Sequence, residues 1–409
     1  MKCRLASRFF DTTAKKGHNK IKYMIEPNKN KVLIFSVTYF PFVGGAEVAL
    51  YEITKRITNV KFDLITAKFS RNLPDLEVVD NITVHRVGQG KKIDKYLYPL
   101  KAFFLARKLN RQNNYYLIWA MMANWAGMAA LVFKLFHPKT KYFLTLQEGD
   151  SAAFLKARTW FWRPLYAQIY KKADHIQVIS HWLAKRARSY GYKKEISIIP
   201  NGVNVEKFKN SQLPTNNSQL KKQLNIPEKN QIIFTSSRLV KKNDIASLIR
   251  AFDILVASCK SSVTLVIAGS GKLEQKLKQL TKDLKLENNV IFLGQIDYDE
   301  ISKYYSSADI FVRSSLSEGQ GIAFIEAMAA GLPVIATPVG GITDFLLDKK
   351  TGLFCQVKNP EDLAEKIKLL LADKKLYLEI QKNGLELVRQ KYDWNLIAAK
   401  MKEIFNNLI

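Results

Sequence analysis

Short apolar runs rich in β-branched residues alternate with segments of helical periodicity along almost the whole chain. This alternation constrains the fold most strongly, because a parallel strand buried on both faces needs a continuous apolar run and a helix supplies the crossover to the next strand. The pattern predicts an α/β chain. Its strands are expected at residues 32–36, 62–67, 82–87, 117–121, 142–146, 176–179 and 196–199, then at 232–236, 264–268, 290–293, 310–313 and 334–336.

The same pattern divides the 409 residues into two domains. A domain typically has roughly 100–200 residues, and the turn signal Pro200-Asn201-Gly202, followed by a polar stretch at 209–217, marks the boundary. We expect residues 32–203 and 204–385 to form two Rossmann-like domains whose parallel sheets face a central cleft. Residues 386–409 are expected to form a C-terminal helix that packs back toward the first domain.

Basic side chains are concentrated in the first half of the chain. The formal net charge of +28 divides into +22 for residues 1–205 and +6 for residues 206–409. Residues 1–31, with nine Lys or Arg against two acidic residues, are expected to be a disordered tail, and without them the first half still carries +15. This charge predicts an anionic partner (nucleic acid, a membrane surface or a phosphorylated substrate), although a merely solubilising surface explains it about as well.

The cysteines and one uncharged stretch indicate where in the cell the protein is expected to be. The three cysteines are too far apart for a disulfide framework or a structural zinc site, and they fit a reducing cytoplasm. Residues 115–133 carry no charge, which approaches the ~20 residues of a membrane-spanning helix. Residues 115–119 are aromatic and β-branched, however, and Asn124 and Gly127 interrupt the rest of the stretch. We therefore expect a buried strand and a short helix in a soluble or peripheral cytoplasmic protein.

Two candidate ligand loops come directly after predicted strands. Gly44 and Gly45, in FPFVGGAE, open an amphipathic helix whose N–H groups can approach a phosphate or sugar; a plain strand-to-helix turn explains the glycine pair about as often. In SSRLVKKN, Arg238 and Lys242 can clamp a diphosphate, the first by its planar fork and the second as a point charge. A solvated basic loop is the alternative. The clamp is favoured because α/β folds bind ligands at the carboxyl ends of strands.

The strongest motif is a pair of carboxylates eight residues apart, Glu318 and Glu326, within SEGQGIAFIEAMAAGLPV. Glu318 lies in a glycine-rich loop after a predicted strand, and Glu326 lies within the next helix. Gly319 and Gly321 expose N–H groups at the helix start, which favours anions. A carboxylate there can accept hydrogen bonds from vicinal hydroxyls, as in ribose recognition. Two surface glutamates are the alternative, but they do not explain the apolar, glycine-rich flanks.

These motifs resemble those of the family 4 glycosyltransferases, which are retaining enzymes of the GT-B fold. The spacing of the two glutamates matches the E-x7-E signature of that family. The agreement continues in FPFVGGAE, SSRLVKKN, LVIAGSG, VIFLGQI, IPNGVNVEKF and YDWNLIAAKM, and it covers nearly the whole chain from residue 32. The resemblance implies a nucleotide-sugar donor held by the second domain and an acceptor held by the first.

The resemblance also implies roles for single residues. Glu326 would hold the ribose hydroxyls, and Glu318 a hydroxyl of the donor sugar. Arg238 and Lys242 would neutralise the diphosphate in place of a metal, so that the leaving group is stabilised as it departs. Gly45 would approach the donor across the cleft. The other donor contacts would come from Gly44, Gln320, Gly321, Ile322, Ala323, Gln295 and Ile296.

The sequence departs from the family pattern at two places. Gln147 stands where the family often has a His that meets the donor sugar, and Gln cannot shuttle a proton near pH 7. No acid–base role is expected there, while Asp150 is a candidate contact for the sugar or acceptor. Asp244 stands where glycine is common and is expected to alter the clamp loop. No cofactor and no metal are expected, and the D-x-D run at 297–299 is interpreted as a helix cap.

The expected activity is retaining transfer of a sugar from a nucleotide-diphosphate sugar to a lipid-linked glycan or surface polysaccharide at the inner face of the membrane. An anionic membrane surface is the expected partner, and no nucleic acid is expected because no RNA- or DNA-binding motif is present. The membrane-facing residues are expected to be Lys91, Lys92, Lys95, Lys101, Arg107, Lys108 and Arg111, with Tyr96, Tyr98, Phe103 and Phe104 between them. Two alternatives stay open: a nucleotide-sugar 2-epimerase of the same fold, and a non-enzymatic nucleic-acid-binding protein using the basic half.

Overall fold

A computed structural model of the chain describes residues 28–42, 44–210, 214–258 and 262–408. Residues 1–27 of the predicted tail lie outside the described residues. The assignment of residues 28–31 to a disordered tail is wrong, because they form the start of the first strand, Asn28–Phe35.

The first half forms one sheet, which has eight strands within the described residues. Its elements are β1 (Asn28–Phe35), α1 (Gly45–Arg56), β2 (Lys61–Ala67), β3 (Leu76–Val79), β4 (Ile82–Val87), α2 (Asp94–Asn113), β5 (Tyr115–Met121), α3 (Trp125–Phe136), β6 (Lys141–Leu146), α4 (Ala152–Thr159), α5 (Arg163–Lys171), β7 (His175–Val178), α6 (His181–Ser189) and β8 (Ile196–Ile198). The strand order is β3-β4-β2-β1-β5-β6-β7-β8. Neighbouring strands are parallel except for the antiparallel edge pair β3–β4.

The second half forms a parallel sheet of six strands, again counted over the part of the chain that is described. Its elements are α7 (Val205–Asn210), α8 (Pro214–Gln223), β9 (Gln231–Ser236), α9 (Ile245–Ser258), β10 (Val263–Ala268), α10 (Glu274–Asp283), β11 (Val290–Gly294), α11 (Ile301–Ser307), β12 (Ile310–Arg313), α12 (Ile322–Ala329), β13 (Val334–Ala336), β14 (Leu353–Phe354), α13 (Pro360–Ala372), α14 (Lys374–Lys391) and α15 (Trp394–Leu408). The strand order is β11-β10-β9-β12-β13-β14.

Strand β1 shows why apolar runs become central strands here. Val32 and Ile34 belong to the core on one side of the sheet, and Leu33 and Phe35 belong to the core on the other. Because helices cover both faces, successive side chains must all be apolar. The prediction of two α/β domains with parallel sheets is confirmed.

The uncharged stretch at 115–133 folds as predicted, into strand β5 followed by helix α3. Among the described residues, no helix is long and apolar enough to cross a membrane.

The structure differs from the sequence-based predictions at three places. The sequence pattern does not indicate β3, whose Leu76 and Val78 are exposed at a sheet edge, or β14, which has only two residues. The polar stretch at 209–217, which is expected to be a linker at the domain boundary, contributes the end of α7 and the start of α8. Tyr98 and Phe103 do not face a membrane. Both are buried on the core side of α2, and the Tyr98 hydroxyl donates to the Ile65 carbonyl at 2.8 Å.

The last helix returns to the first half of the molecule. Helix α15 packs against α1, and its Phe405 ring lies 5.2 Å from the ring of Trp119 and 5.6 Å from that of Phe143. Where the chain crosses back, the Val203 amide donates to the Tyr392 carbonyl at 2.7 Å. The C-terminal residues therefore complete the core of the first half and tie the two halves together.

Candidate active site

A cavity of about 860 Å³ lies between the two halves. The first half lines it with the loops that follow β1, β5 and β6, and the second half lines it with the loops that follow β9 and β12. All of these loops are at the carboxyl ends of parallel strands, which is where open α/β sheets bind ligands.

Ten of the fourteen residues predicted for the site line this cavity. They are Gly44, Gly45, Gln147, Asp150, Arg238, Lys242, Glu318, Gln320, Gly321 and Ile322. Outside its lining are Glu326, Ala323, Gln295 and Ile296.

The glycine pair lies at the N-terminus of α1, and both glycines line the cavity. Gly44 is the N-cap in an extended conformation, and Gly45 begins the helix. A Cβ on Gly45 would lie 4.0 Å from Cγ2 of Ile322, so the two halves approach each other here. Backbone N–H groups at this helix start face a space that is bounded by both halves, which suits an anion.

Glu47 is a site residue that the sequence did not single out. Its carboxylate turns back over Gly44 and accepts a hydrogen bond from the Thr38 hydroxyl. Burial raises the pKa of Glu47, while Arg238 across the cavity acts in the opposite direction. The only signal for it in the sequence is its position three residues after the first glycine, at the start of a helix.

Glu318 is held in place by two donors on its own half. Arg313, at the end of β12, places Nη2 at 2.5 Å from Oε1 of Glu318, and the Ser315 hydroxyl donates to the same oxygen at 3.0 Å. The same Nη2 also donates to Oδ1 of Asn243 at 3.1 Å. Nε of Arg313 is buried and has no hydrogen-bond partner in the described structure. The carboxylate therefore presents a defined orientation to the cavity.

The two predicted clamp residues lie in the loop that follows β9. Arg238 is exposed, and Lys242 belongs to a short 3₁₀ helix, Lys241–Asn243. Across the cavity, Nζ of Lys242 lies 3.5 Å from Oδ1 of Asp150. Asp244 has a φ of 46°, in the left-handed region that favours glycine, so it keeps the conformation expected of a glycine there.

Gln147 and Gln320 meet at one residue, Asn201. The Gln147 and Asn201 side-chain amides exchange two hydrogen bonds of 3.0 Å. The Gln320 side chain accepts from the Asn201 amide N–H at 2.7 Å and donates to the Asn201 carbonyl at 3.0 Å. Asn201 thus links Gln147 of its own half to Gln320 of the second half, and both glutamines line the cavity.

The loop after β6 touches the loop after β12 at a second place. A Cβ on Gly149 would lie 2.7 Å from the Gly319 nitrogen, and the Ser317 hydroxyl donates to the Gly149 carbonyl at 2.8 Å. Such close backbone approach is possible only with glycine at these positions. The cavity is therefore closed on this side by glycine backbones.

Glu326 lies beside the cavity rather than in its lining. It is 8% exposed on helix α12, and the Tyr305 hydroxyl donates to its Oε2 at 2.9 Å. Burial raises the pKa of Glu326 to about 7, against the opposing effects of the Tyr305 hydrogen bond and of Lys207 and Arg313. Such a carboxylate can accept hydrogen bonds from the hydroxyl groups of a ligand that reaches it. Its charged form is unfavourable in free energy because the group is buried.

The other three predicted donor residues lie near Glu326 or farther along the sheet. Ala323 is buried on the first turn of α12. Gln295 and Ile296 follow β11, and Ile296 packs against the core of the second half.

No group of three or more His, Cys, Asp or Glu is placed to hold a metal among the residues that the structure covers. In the D-x-D run, Asp299 pairs with Lys207 at 3.1 Å. The N-cap of α11 is Glu300, and Asp297 accepts from the amides of Glu300 and Ile301 through its backbone carbonyl. The prediction that an aspartate side chain caps this helix is wrong.

The first-half wall of the cavity is aromatic. It includes Tyr96 from α2, Trp125 from α3, and Phe161, Trp162 and Tyr166 from the α4–α5 region. Sequence reasoning missed this wall because its residues come from three elements. The run Trp160-Phe161-Trp162 was the only local signal.

Two family models match the chain. The one described as Glycosyltransferase Family 4 matches residues 43–207, and the one described as Glycosyl transferases group 1 matches residues 216–387. The chain belongs to the family 4 glycosyltransferases.

Known proteins resemble this glycosyltransferase over most or part of its length. A protein named as an uncharacterized glycosyltransferase from Methanocaldococcus jannaschii is 26% identical over 385 residues, which cover 92% of this chain and 98% of that protein. A GDP-mannose-dependent monoacylated alpha-(1-6)-phosphatidylinositol monomannoside mannosyltransferase from Corynebacterium glutamicum is 29% identical over 244 residues, which cover 58% of this chain and 63% of that enzyme.

Among solved structures, Anabaena Alr3699/HepE in complex with UDP-glucose matches this glycosyltransferase with a TM-score of 0.77 and 20% identity. The match covers 92% of this chain and 99% of the other. The likeness confirms the predicted GT-B fold.

Proposed function

We propose that this glycosyltransferase moves a sugar, with retention of anomeric configuration and without a metal, from a nucleotide-diphosphate sugar to a lipid-linked glycan or polysaccharide precursor at the cytoplasmic face of the membrane. One observation carries the proposal. Arg238 and Lys242 of the second half share a single cavity with the glycine-pair helix start, Gly44 and Gly45, of the first. Groups that attract a diphosphate thus converge from both sides.

The diphosphate is the leaving group, and its charge grows as the bond to the sugar breaks. Arg238 offers its planar fork, and Lys242 offers a point charge whose Nζ lies 3.5 Å from Oδ1 of Asp150. The N-terminus of α1 adds a third positive field. Such preorganised groups stabilise developing charge without the reorganisation that water would need.

The two glutamates bind different parts of the donor. Glu318, oriented by Arg313 and Ser315, accepts from a hydroxyl of the donor sugar. Glu326, beside Tyr305, accepts from the ribose hydroxyls. Because burial raises the pKa of Glu326 to about 7, its carboxylate form and therefore donor binding increase as the pH rises through that value.

The names of the relatives support the proposed donor and the proposed acceptor. The Corynebacterium enzyme is named for GDP-mannose and for a phosphatidylinositol-linked acceptor, and the Anabaena protein was solved with UDP-glucose. For this chain, the aromatic first-half wall supports an acceptor that carries sugar rings or an apolar chain.

A thermal-shift screen against UDP-, GDP- and ADP-sugars tests the proposal. A donor present at 100 times its Kd is expected to stabilise the protein by about 2.7 kcal/mol. The anomeric coupling constant of the transferred sugar, measured by NMR, tests retention. If no nucleotide sugar raises the unfolding midpoint, the proposal is wrong.

Two control measurements separate the alternatives. A 2-epimerase would convert the donor sugar when no acceptor is present, which chromatography of the nucleotide sugars detects. A nucleic-acid-binding protein would retain RNA or DNA on a filter in a strongly salt-dependent way.

A further inference from the structure

Exposed aromatic side chains are distributed very unevenly. Among the described residues, all the exposed large aromatic side chains lie in the first half, and the most exposed are Trp160 at 75% and Phe161 at 71%. Exposed aromatic surface is unfavourable in water, and contiguous apolar patches mark interaction sites.

Helix α2 contributes one apolar edge. Tyr96, Leu100 and Phe104 are spaced four residues apart, so they lie on one face of the helix, and all three are exposed. Tyr98 and Phe103 face the core instead. The outward face of α2 is therefore apolar along more than two turns.

A series of ring contacts connects this edge to the loop between α4 and α5. The ring centroid of Tyr96 lies 6.2 Å from that of Trp125, which stacks on Trp162 at 5.7 Å. Trp162 lies 6.5 Å from Phe161, and Phe161 lies 6.1 Å from Trp160. We call these five rings the aromatic stripe. The four rings from Tyr96 to Phe161 line the cavity, whereas Trp160, at the other end of the stripe, is outside the lining and exposed.

The surroundings of the aromatic stripe are basic. Residues 151–172 include five Lys or Arg and no Asp or Glu. Lys156, Arg158 and Arg163 in this segment are exposed, as is Lys95 beside Tyr96. Arg158 and Lys95 also line the cavity. Positive charge thus accompanies the apolar surface from the outside to the cleft.

We propose that the aromatic stripe is a membrane-docking surface for an anionic lipid bilayer and the route by which a lipid-linked acceptor enters the cavity. Trp160, together with Phe154, which is exposed on the preceding helix α4, sits at the boundary between headgroups and acyl chains, where tryptophan is enriched in membrane proteins. The basic side chains contact anionic headgroups. The apolar chain of the acceptor lies along the remaining rings, which bring its sugar to the cleft.

A bilayer fits this surface better than a nucleic acid does. Single-stranded nucleic acids need aromatic rings along a groove that follows the phosphate backbone. Here the most exposed rings project from the loop after α4, beside exposed Leu165, and contact one another edge to face. That arrangement suits insertion into an interface.

Vesicle sedimentation tests the docking surface directly. The full chain is expected to sediment with phosphatidylglycerol-containing vesicles and much less with pure phosphatidylcholine. The double variant Phe154→Ala/Trp160→Ala is expected to weaken that binding by about tenfold or more, because two apolar side chains no longer leave water. Both positions are exposed, so the melting temperature should change little.

The matched control is Leu347→Ala/Leu378→Ala, which removes exposed apolar side chains from the second half. It is expected to bind vesicles like the unmodified chain. Brominated phosphatidylcholine mixed into anionic vesicles should quench tryptophan fluorescence less in Trp160→Phe than in the unmodified chain. Equal binding to neutral and anionic vesicles, or unchanged binding by the double variant, would overturn the docking surface.

The role in acceptor entry rests on the proposed function, whereas docking on vesicles does not. The donor-induced shift of the melting temperature separates the two failures. If Phe154→Ala/Trp160→Ala keeps both that shift and its vesicle binding, the docking surface is wrong and the proposed function stands. If no donor shifts even the unmodified chain, the proposed function fails, and with it acceptor entry, while vesicle binding still decides the docking surface.

Discussion

The two halves of the molecule differ in net charge and in exposed aromatic surface. The first half exposes aromatic rings and carries most of the net positive charge. The second half is nearly neutral and exposes no large aromatic side chain within its described residues. Both halves bury charged groups, and those of the second half are the Arg313–Glu318 pair and Glu326, at and beside the cavity. Each arrangement is unfavourable for folding alone, because exposed rings and buried charges both cost free energy. This difference is the one expected if the first half binds a surface and the second half carries the donor chemistry, as proposed above.

The largest effect is expected from removing the clamp in the second half. Arg238→Ala should lower the rate of sugar transfer by about 10²–10³-fold, the scale seen when a donor to a developing anion is removed. Arg238 is exposed, so the free energy of unfolding should change by less than about 0.5 kcal/mol. A steady-state assay of nucleoside diphosphate release measures the rate.

The neighbouring exposed Lys241, which is not in the cavity lining, supplies the control. Lys241→Ala should keep the unmodified rate. Equal rates for the two variants would show that Arg238 does not stabilise the leaving group. They would also weaken the assignment of donor chemistry to the second half.

Breaking the buried ion pair should cost stability. Arg313→Leu leaves Glu318 buried and without its cation, and this kind of loss is typically about 3–5 kcal/mol. Urea unfolding of the variant measures it. Adding Glu318→Leu should recover much of the loss, because no uncompensated charge then remains. Strictly additive losses would show that the two side chains do not act as a pair.

A smaller effect, of opposite sign, is expected at Glu326. Its pKa is raised from 4.5 to about 7 in the folded chain, so the protonated form is the one that favours folding. This contribution is complete below pH 4.5 and is lost as the pH rises through 7. At pH 8, Glu326→Gln should therefore be more stable than the unmodified chain by about 3 kcal/mol, and the difference should shrink toward pH 4.

Thermal unfolding between pH 4 and 8 measures this difference, and exposed Glu379→Gln is the control, with no expected pH-dependent gain. The same titration predicts that donor binding by the unmodified chain strengthens between pH 6 and 8. A Glu326→Gln variant that is less stable at every pH would contradict the interpretation of Glu326 as a buried carboxylate retained for binding.

The fold was predictable to the extent that it depends on local pattern. Residues 32–35 of β1 and most of β10 form apolar runs, so the positions of these strand segments follow from the local pattern. The edge strand β3 alternates exposed and half-buried residues, and two-residue β14 gives no periodic signal. The polar composition of α8 hid its helical structure, because stability there comes from packing on α11 rather than from an apolar face visible in sequence.

The candidate site divides in the same way. Residues within one motif, such as Glu318 and Gly321, were recognisable from spacing. Contacts between motifs were not. Gln147 and Gln320 are 173 positions apart and meet only because both bind Asn201. The pairing of Arg313 with Glu318 also depends on where β12 ends, since the side chain must reach forward to the loop.

The most direct test of the division between the halves measures two affinities on two variants. Calorimetry gives the affinity for the nucleotide sugar found in the screen, and sedimentation gives the affinity for anionic vesicles. At pH 8, Glu326→Gln should weaken only donor binding, and Phe154→Ala/Trp160→Ala should weaken only vesicle binding. If either variant, still folded, reduced both affinities by the same factor, the account of two separate tasks would be contradicted.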